Sequence, residues 1–329
     1  MPANLTPQFH EAENKYRIAK DNKEKLMHLE EMLKVIPKHK GTEKIQGDIK
    51  SRIAKLRKEP DKKSKMSHRG SSMYQVEKEG AAQVVLAGMP NTGKSSFLAS
   101  VTNAEPCVAE YPLSTLKPIP GMMQYENIQI QLVDLIPINP EYFEPWVVGI
   151  IRNSDAVLIF VNLSEDPVTE LEETLKFLEE KNIFIVKSLE EIDYEFGNVY
   201  KRALIAANMI DLDENEENLE ILSELYQDRF DIIPVSSKYS MNLDNLKVKI
   251  FRFLDILRVY SKPPRKEPDL SQPMVFPIGT TVIDVARSLH KDFVEKFKFA
   301  RIWGDGKYEG QKVNRDYVVV DGDVIEFHI

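Results

Sequence analysis

The clearest chemical signal in the chain is a short glycine-containing segment. It runs Gly88-Met-Pro-Asn-Thr-Gly93-Lys94-Ser95 and fits the pattern G-x-x-x-x-G-K-[ST] at every fixed position. Glycines let the backbone wrap closely around phosphate oxygens, so that successive N–H groups point at them. The lysine neutralises charge on the β- and γ-phosphates, and the serine hydroxyl is a ligand for Mg²⁺. The segment therefore predicts a site for a nucleoside triphosphate with Mg²⁺.

The sequence on either side of this segment matches what the pattern requires. The apolar run Gln83–Ala87 predicts a buried strand before it, and Ser95–Val101 predicts a helix after it. A helix N-terminus adds a partial positive charge that favours a bound phosphate. A glycine-rich turn with a surface lysine would need neither neighbour. The residues predicted to contact the nucleotide here are Gly88, Asn91, Thr92, Gly93, Lys94, Ser95 and Ser96.

Two further motifs follow apolar runs and concern the base. Asn208-Met209-Ile210-Asp211 comes after Ala203–Ala207, and Ser236-Ser237-Lys238 comes after Ile232–Val235. They resemble the guanine-recognition motifs of GTPases, written N-K-x-D and S-A-K. Each follows a predicted parallel strand, at the edge of the sheet where such folds bind ligands. The site residues predicted from these motifs are Asn208, Asp211, Ser236, Ser237 and Lys238.

The resemblance implies a role for each polar group. Asp211 would accept two hydrogen bonds, from guanine N1–H and the exocyclic amine, and adenine offers neither donor. Asn208 would brace the pocket, and the backbone N–H of Ser237 would meet guanine O6. One position departs from the pattern, because Met209 replaces the usual lysine. Methionine can pack on the base but carries no charge, so we expect weaker guanine binding with retained specificity.

The segment Tyr111–Gly121 resembles the first switch of the Obg-related GTPases, written Y-P-F-T-T-L-x-P-x-x-G. The resemblance implies that Thr115 completes the Mg²⁺ shell when the γ-phosphate is present. Lys94 and Thr115 are then the residues expected to support catalysis. A proline-punctuated loop without a switch function is the alternative.

The second switch departs from the family pattern D-x-P-G. This chain has Asp134-Leu135-Ile136-Pro137, in which Asp134 is expected to bind Mg²⁺ through water. In the family the glycine N–H contacts the γ-phosphate, whereas Pro137 has no N–H to donate. Two outcomes follow: a GTPase with weak intrinsic activity, or a guanine-nucleotide-binding scaffold that does not hydrolyse and barely distinguishes GTP from GDP.

Two further hypotheses concern the phosphate-binding segment. In several GTPases an asparagine at the position of Asn91 binds K⁺ in place of an arginine finger, although asparagine is also a common turn former. We therefore add K⁺ to GTP, GDP and Mg²⁺ as an expected cofactor to be tested. A small-molecule kinase would use the same segment, but it would also need an acceptor pocket and a lid rich in arginine, and the sequence shows neither.

These motifs require a sheet that brings strand ends together. Short apolar runs alternate with helical patterns between residues 80 and 262, which predicts a doubly wound, mostly parallel α/β sheet. The apolar stretch Leu246–Val259 predicts the helix that ends this nucleotide-binding domain. Residues 270–329 predict a compact unit with β-like runs and one helix, Val282–His290.

Residues 1–79 predict a helical hairpin and a linker. The pattern predicts one helix over 8–36 and a second after residue 42 with its apolar stripe on Ile45, Ile49, Ile53 and Leu56. Residues 1–70 hold 18 basic and 10 acidic side chains, whereas the rest of the chain holds 26 and 42. The net charge of −8 therefore hides a basic segment. Two interpretations of this segment remain open: a hairpin whose outer face is solvated and carries ion pairs, or a surface that binds phosphate groups.

The flanking parts carry a more specific resemblance. The stretch 37–58 is similar to the hairpin of the developmentally regulated GTP-binding proteins (DRG), a branch of the Obg family. The segments Phe276–Thr281 and Asp321–Phe327 are similar to the opening and closing of a TGS domain, a small β-grasp module. The resemblance covers about residues 35–329 and implies a P-loop G domain over 80–262 with a TGS domain at 270–329. The family's inserted domain is expected to be absent.

The resemblance implies a cytoplasmic protein that binds guanine nucleotide and contacts the ribosome or RNA. In the TGS part, Trp303, Lys307, Lys312 and Arg315 suit base stacking and phosphate contact, unless Trp303 belongs to the core. The single cysteine, Cys107, excludes an intrachain disulfide and fits a reducing compartment. The sequence contains no stretch of about 20 apolar residues, so we do not expect a membrane span. The sequence does not indicate an oligomeric state.

Overall fold

The computed structural model describes most of the chain. The described residues are 6–19, 22–37, 42–58, 76–102, 117–139, 144–189, 192, 195, 197–264 and 266–329. They divide between two compact units. The first comprises the described residues up to 75 with those of 190–198, and the second comprises 76–189 with 199–329. None of the described helices is both long and apolar enough to cross a membrane.

The first unit contains the helices α1 (Pro7–Ile18), α2 (Asn22–Val35) and α3 (Glu43–Lys58). The prediction of one helix over residues 8–36 was therefore wrong. Ala19 ends α1 in a non-helical conformation, with its N–H donated to the carbonyl of Lys15. In one continuous helix Phe9 and Leu29 would be about 30 Å apart. Folding back at this point lets both side chains enter the same buried cluster.

The second unit contains a mostly parallel sheet over the middle of the chain. Its strands are β1 (Gln83–Ala87), β2 (Ile119–Tyr125), β3 (Ile128–Asp134), β4 (Ala156–Asn162), β5 (Ile183–Val186), β6 (Val199–Asn208) and β7 (Ile232–Val235). The order is β2-β3-β1-β4-β6-β5, and β7 also pairs with β6. Only the hairpin β2–β3 is antiparallel among these pairings.

Helices cover both faces of this sheet. They are α4 (Lys94–Val101), α5 (Pro145–Asn153), α6 (Pro167–Glu180), α7 (Glu216–Tyr226) and α8 (Leu243–Phe253). Alternate residues of β1 enter opposite layers: Val85 packs in the cluster that includes α5, α6 and α7, and Leu86 packs in the cluster that includes α4 and α8. This alternation follows from the two-residue period of a strand. The prediction of a doubly wound α/β sheet is confirmed.

A second sheet of five strands completes this unit. It contains β8 (Ile256–Ser261), β9 (Met274–Pro277), β10 (Phe299–Trp303), β11 (Gln311–Val313) and β12 (Asp323–His328), with the helices α9 (Val282–Leu289) and α10 (Lys291–Glu295). The order is β11-β10-β12-β8-β9. Thr281 and Asp284 form a capping box at the start of α9, whose buried residues pack with Ile302 and Ile325 of the sheet.

The prediction of one helix over Leu246–Val259 was wrong. Helix α8 ends at Phe253, and Asp255 has a positive φ of 51°, which turns the chain into β8. Leu257 and Val259 are buried in the cluster that contains Ile302 and Ile325 of the second sheet, at the two-residue spacing of a strand. The first strand of the second sheet thus lies inside the part assigned to the nucleotide-binding domain. The division into 1–79, 80–262 and 270–329 stays a prediction. The pairing of β8 with β12 favours a boundary between the last two parts that lies before residue 262.

The turn between β2 and β3 contacts the second sheet through Arg258. The Arg258 guanidinium binds both oxygens of Asp321, with Nη2–Oδ2 2.7 Å and Nε–Oδ1 3.0 Å. It also donates to Glu126, and to Asn127 Oδ1 at 3.2 Å, both on the β2–β3 turn. The guanidinium lies 5.1 Å from the ring centroid of Phe251 on α8. These contacts join the hairpin that ends at Asp134 to the second sheet.

Candidate nucleotide-binding site

Two glycines allow the phosphate-binding loop between β1 and α4 to form. Gly88 has φ 139°, and a Cβ there would lie 2.4 Å from the carbonyl oxygen of Phe160 on β4. Gly93 has φ 89°, and a Cβ there would lie 2.0 Å from Asn208 Nδ2. Both distances are shorter than any real carbon contact, so a side chain at either position would displace the loop. The two glycines of the motif are required by packing as well as by backbone conformation.

The ammonium of Lys94 lies inside this loop. It donates to the carbonyl oxygens of Met89 at 2.6 Å and Gly88 at 3.1 Å, and to Thr92 Oγ1 at 3.1 Å. The side chain is 4% exposed. Burial lowers the pKa of Lys94 to about 8, although the nearby carboxylates oppose the shift. At neutral pH the group remains a buried cation, which strongly favours an anion brought beside it.

Ser95 and Asp134 form a polar pair next to Lys94. Ser95 Oγ donates to Asp134 Oδ2 at 2.5 Å, and Asp134 is the fully buried last residue of β3. Burial raises the pKa of Asp134, while the hydroxyl and the ammonium lower it. The other oxygen, Asp134 Oδ1, is buried and has no hydrogen-bond partner among the described residues. A buried carboxylate oxygen without a partner is costly unless something else binds it.

These groups fit Mg²⁺. The ion prefers oxygen ligands, keeps several waters and binds through few protein groups plus substrate phosphates. Ser95 would be a direct ligand, and Asp134 Oδ1 would accept from a water of the ion. Within the described part of the chain no cluster of three or more His, Cys, Asp or Glu side chains could hold a metal. The residues present therefore suit an ion that arrives with a nucleotide.

Asn208 connects two loops at the carboxyl edge of the sheet. Its Nδ2 donates to the carbonyl oxygen of Thr92 at 2.9 Å. Its Oδ1 accepts from the backbone N–H of Ser237 at 3.0 Å and from Ser237 Oγ at 3.1 Å. The side chain is 3% exposed. The phosphate-binding loop and segment 236–238 are thus tied together, and the N–H expected to meet guanine O6 already has Asn208 as its partner.

The remaining predicted residues lie at the same edge. Asp211 is partly exposed in the turn after β6, where the N–H of Ile210 donates to the carbonyl of Val235 at 3.2 Å. Lys238 is exposed, and its ammonium lies 5.0 Å from the Tyr239 ring centroid. Asn91 is exposed and has φ 61°. The remaining placements are as follows: Ser236 is buried, Ser96 is half-buried on α4, and Thr115 lies outside the described residues.

The segment after Asp134 is fixed to the phosphate-binding loop, which the motif comparison did not predict. Leu135, Ile136 and Ile138 are all buried in the cluster that contains β1 and α5. The backbone N–H of Ile138 donates to the carbonyl of Gly88 at 3.0 Å. The sequence signal was available, because the apolar pattern continues past the end of β3. The segment that contains Pro137 is therefore held on both sides.

A second unpredicted group is Glu170 in the first turn of α6. Its Oε2 accepts the backbone N–H of Asn162, the last residue of β4, at 2.7 Å. Burial raises the pKa of Glu170 to about 7, and Lys94 is one of the charges that oppose the shift. A single glutamate in a helical first turn gives no sequence signal of this environment. The carboxyl group is a titratable neighbour of the candidate site.

Replacing Glu170 with glutamine should change the pH dependence of stability. The pKa is about 7 in the folded protein against an ordinary 4.5, so its stabilising contribution is complete below about pH 4.5 and lost as pH rises through 7. Glutamine still accepts from Asn162 but cannot ionise. The free energy of unfolding of the variant should be about 1 kcal/mol above that of the wild type at pH 8, allowing for partial exposure, and much closer to it at pH 5.

Urea unfolding at the two pH values measures the difference. Glu173→Gln, an exposed change on the same helix, should shift stability equally at both pH values. A Glu170→Gln difference that is the same at pH 5 and pH 8 would show that the carboxyl ionises normally.

Residues 83–188 match the family model described as 50S ribosome-binding GTPase, and residues 257–329 match the TGS domain. The chain is 32% identical to an uncharacterised GTP-binding protein of Methanocaldococcus jannaschii, over 92% of this chain and 91% of that protein. It is 26% identical to the Developmentally-regulated GTP-binding protein 2 homolog of Dictyostelium discoideum, over 92% and 98%. The chain belongs to the developmentally regulated GTP-binding protein family.

The Developmentally-regulated GTP-binding protein 1 of Xenopus laevis gives the same result, with 27% identity over 88% of this chain and 94% of that protein. As a member of this family, the chain has a guanine-nucleotide-binding P-loop G domain followed by a TGS domain. The alignment with the Methanocaldococcus protein spans 359 positions, more than the 329 residues of this chain. That relative therefore carries residues with no counterpart here.

Proposed function

We propose that this protein is a Mg²⁺-dependent GTPase of the DRG/Obg type, with weak intrinsic activity, that works in the cytoplasm in association with the ribosome or RNA. The observation that carries the proposal is the meeting of Lys94, Ser95 and Asp134 in one buried polar group. A buried cation, a hydroxyl and a carboxylate oxygen that has no partner among the described residues together suit a phosphate–Mg²⁺ complex.

Each residue then has a distinct task. Lys94 neutralises negative charge on the β- and γ-phosphates, and backbone N–H groups of the loop cradle their oxygens. Ser95 would hold Mg²⁺ directly and Asp134 would hold it through water, and the bound ion would supply positive charge beside the phosphates. Thr115 is proposed to complete that shell. At the other end of the nucleotide, Asp211 accepts from the guanine edge, while Asn208 ties the phosphate-binding loop to segment 236–238.

Weak activity follows from the segment after Asp134. Pro137 has no N–H to offer the γ-phosphate. Its neighbours Ile136 and Ile138 are buried, and the N–H of Ile138 is donated to Gly88. The alternative function, a guanine-nucleotide-binding scaffold without hydrolysis, is favoured by the same observation. Single-turnover hydrolysis of GTP separates the two, because a rate no faster than that in buffer would contradict the enzyme.

Replacing Pro137 with glycine should raise the hydrolysis rate, by at least about tenfold if the missing donor limits the reaction. Pro137→Ala also restores an N–H but leaves a stiffer backbone, so it should give a smaller rise. Single-turnover rates with Mg²⁺ measure both variants, and GTP affinity measured in parallel should stay within about threefold of wild type. If neither variant is faster, the γ-phosphate is sensed by another group.

The same assay tests K⁺. We propose that Asn91 helps bind K⁺ beside the phosphates, because it is exposed at the loop with a positive φ. The rate in potassium buffer should then exceed the rate in sodium buffer. Identical rates would remove K⁺ from the proposal.

Association with RNA is proposed to use two basic surfaces, one in each unit. In the first unit, α3 buries Ile49 and Ile53 and leaves Lys44 and Lys50 exposed. In the TGS sheet, β10 buries alternate residues, which places Phe299, Arg301 and Trp303 on the outer face. Lysines and an arginine beside aromatic rings are typical of single-strand-binding surfaces.

The outer face of the TGS sheet has a defined arrangement of cations. Lys262 Nζ lies 4.6 Å from the Trp303 ring centroid, and Lys312 Nζ lies 4.3 Å from that of Phe299. Trp303 is half-buried on this face and lies outside the buried core cluster. Lys307, which the sequence suggested for phosphate contact, is instead buried in an ion pair with Asp323. We therefore leave Lys307 out of the proposed surface.

Reversing the charge of this face should weaken RNA binding. The double change Arg301→Glu with Lys312→Glu should lower affinity for a single-stranded RNA oligonucleotide about tenfold. It should also reduce the number of counterions released on binding by about two, which makes the affinity less dependent on salt. Fluorescence anisotropy of a labelled oligonucleotide over a range of salt concentrations measures both. Lys176→Glu with Lys291→Glu carries the same charge change at exposed positions elsewhere. Equal losses in the two double variants would mean that only overall charge matters.

A further inference from the structure

We propose that Asn215 is a positioning residue for base recognition, and that it acts by holding the backbone of Met209. Asn215 ends a short 3₁₀ helix, Asp213–Asn215, just before α7. It belongs to none of the nucleotide-binding motifs. The inference rests on the proposed role of Asp211 in binding guanine and adds the group that fixes the orientation of Asp211.

The contacts of Asn215 all concern the loops beside the proposed base site. Its side chain is 4% exposed. Nδ2 donates to the carbonyl oxygen of Met209 at 2.6 Å and to Ser164 Oγ at 2.9 Å, so both of its hydrogens are used. Ser164 Oγ in turn lies 3.5 Å from Met209 Sδ, which accepts its hydrogen. One buried amide thus connects the segment after β4 with the segment after β6.

Met209 needs such a restraint because its backbone is strained. Its φ is 71°, in the left-handed region that non-glycine residues rarely adopt. Asp211 follows two residues later, so a return of Met209 to negative φ would turn the Asp211 carboxylate away from the edge of the sheet. The backbone N–H of Ile210 also restrains this turn, through its bond to the carbonyl of Val235. Asn215 supplies the second tie, and it does so at the residue where the conformation is unfavourable.

Met209 is also the position at which this chain departs from the guanine-recognition motif. Methionine has no ammonium or other donor with which to fix its own position. The bonds from Asn215 and Ser164 reach Met209 from outside the motif, at its carbonyl oxygen and its sulfur. We infer that these bonds maintain the geometry of the base-binding turn around the substituted residue.

Asn218 provides a matched control on the same helix. Its Nδ2 donates to the carbonyl oxygens of Leu163 at 2.7 Å and Glu165 at 3.2 Å. It therefore fastens α7 to the segment after β4, as Asn215 does, but it makes no bond to Met209. A change at Asn218 removes a similar number of hydrogen bonds without releasing the base-binding turn.

The test compares GTP with inosine triphosphate, which lacks the exocyclic amine. A well-placed Asp211 carboxylate gains from that amine, so the ratio of the two affinities reports the orientation of Asp211. Asn215→Asp, which keeps the size but loses both donors, should reduce the ratio at least ~5-fold, mainly through weaker GTP binding. Asn218→Asp should leave the ratio unchanged. Isothermal titration of the full chain with Mg²⁺ measures all four affinities.

The outcomes distinguish this inference from the proposed function. If the wild-type chain binds GTP and inosine triphosphate equally, the assignment of Asp211 fails and this inference fails with it. If the wild type discriminates and a folded Asn215→Asp chain retains the full ratio, only the role of Asn215 is refuted. Asn215→Ser, which keeps one donor, should give an intermediate ratio. If both Asn215 variants fail to fold, or if Asn218→Asp lowers the ratio equally, the bonds serve the fold and the inference is overturned.

Discussion

Replacing Lys94 with methionine should weaken the binding of both GTP and GDP at least about 100-fold, because charge-assisted hydrogen bonds to phosphates disappear from a site with little water. Methionine fills nearly the same volume as the lysine stem. The carbonyl of Gly88 keeps the N–H of Ile138 as a donor, so the loop should remain folded. Isothermal titration with Mg²⁺ measures the affinities, and thermal unfolding verifies that the variant is intact.

The pH dependence of GTP affinity provides a second test of the role of Lys94. The pKa of Lys94 is lowered to about 8 by burial, and bound phosphate stabilises the charged form and raises that pKa. Affinity for GTP should therefore fall as pH rises above about 8. The residual affinity of Lys94→Met should not follow that decline. Lys176→Met, an exposed change on α6, should bind GTP as the wild type does, and a loss there would point to a general effect of charge.

Replacing Asp211 with asparagine should change which base the site accepts. Xanthine carries a carbonyl group where guanine carries the exocyclic amine, and the asparagine amide can donate to it. We expect GTP affinity to fall about 100-fold and xanthosine triphosphate affinity to rise by a similar factor, because a donor or acceptor that a bound base covers and leaves without a partner is heavily penalised. Competition titration with the two nucleotides measures the exchange.

The matched control is Asp244→Asn on α8, where the side chain is 98% exposed. It makes the same chemical change away from the proposed base site and should leave base preference as it was. Unchanged preference in Asp211→Asn would mean that another group contacts the guanine edge. Reduced affinity for both nucleotides without a change of preference would make Asp211 a structural residue of the turn.

The sequence predicted the nucleotide-binding sheet well because its signals are local. The glycine–lysine–serine motif is contiguous, and its strand and helix lie beside it in the chain, so Lys94–Val101 could be placed to within one residue. The two errors, at residues 8–36 and 246–259, have one physical cause. An apolar pattern shows that side chains will be buried, but it does not say which partner buries them. Folding back of α1 on α2, and pairing of β8 with β12, are decided by contacts between distant segments.

The candidate site shows the same division. Composition and motif spacing by themselves determined a P-loop nucleotide site, an α/β sheet to carry it and a basic N-terminal segment in an acidic chain. Only the tertiary structure decided that Asp134 Oδ1 has no partner within the described part of the chain, that the segment around Pro137 is bonded to Gly88, and that Asn215 is bonded to Met209. Those features depend on burial and on hydrogen bonds between residues far apart in the chain. A hydrogen bond of that kind leaves no periodic or compositional trace, so it becomes visible only when the strands have brought their ends together.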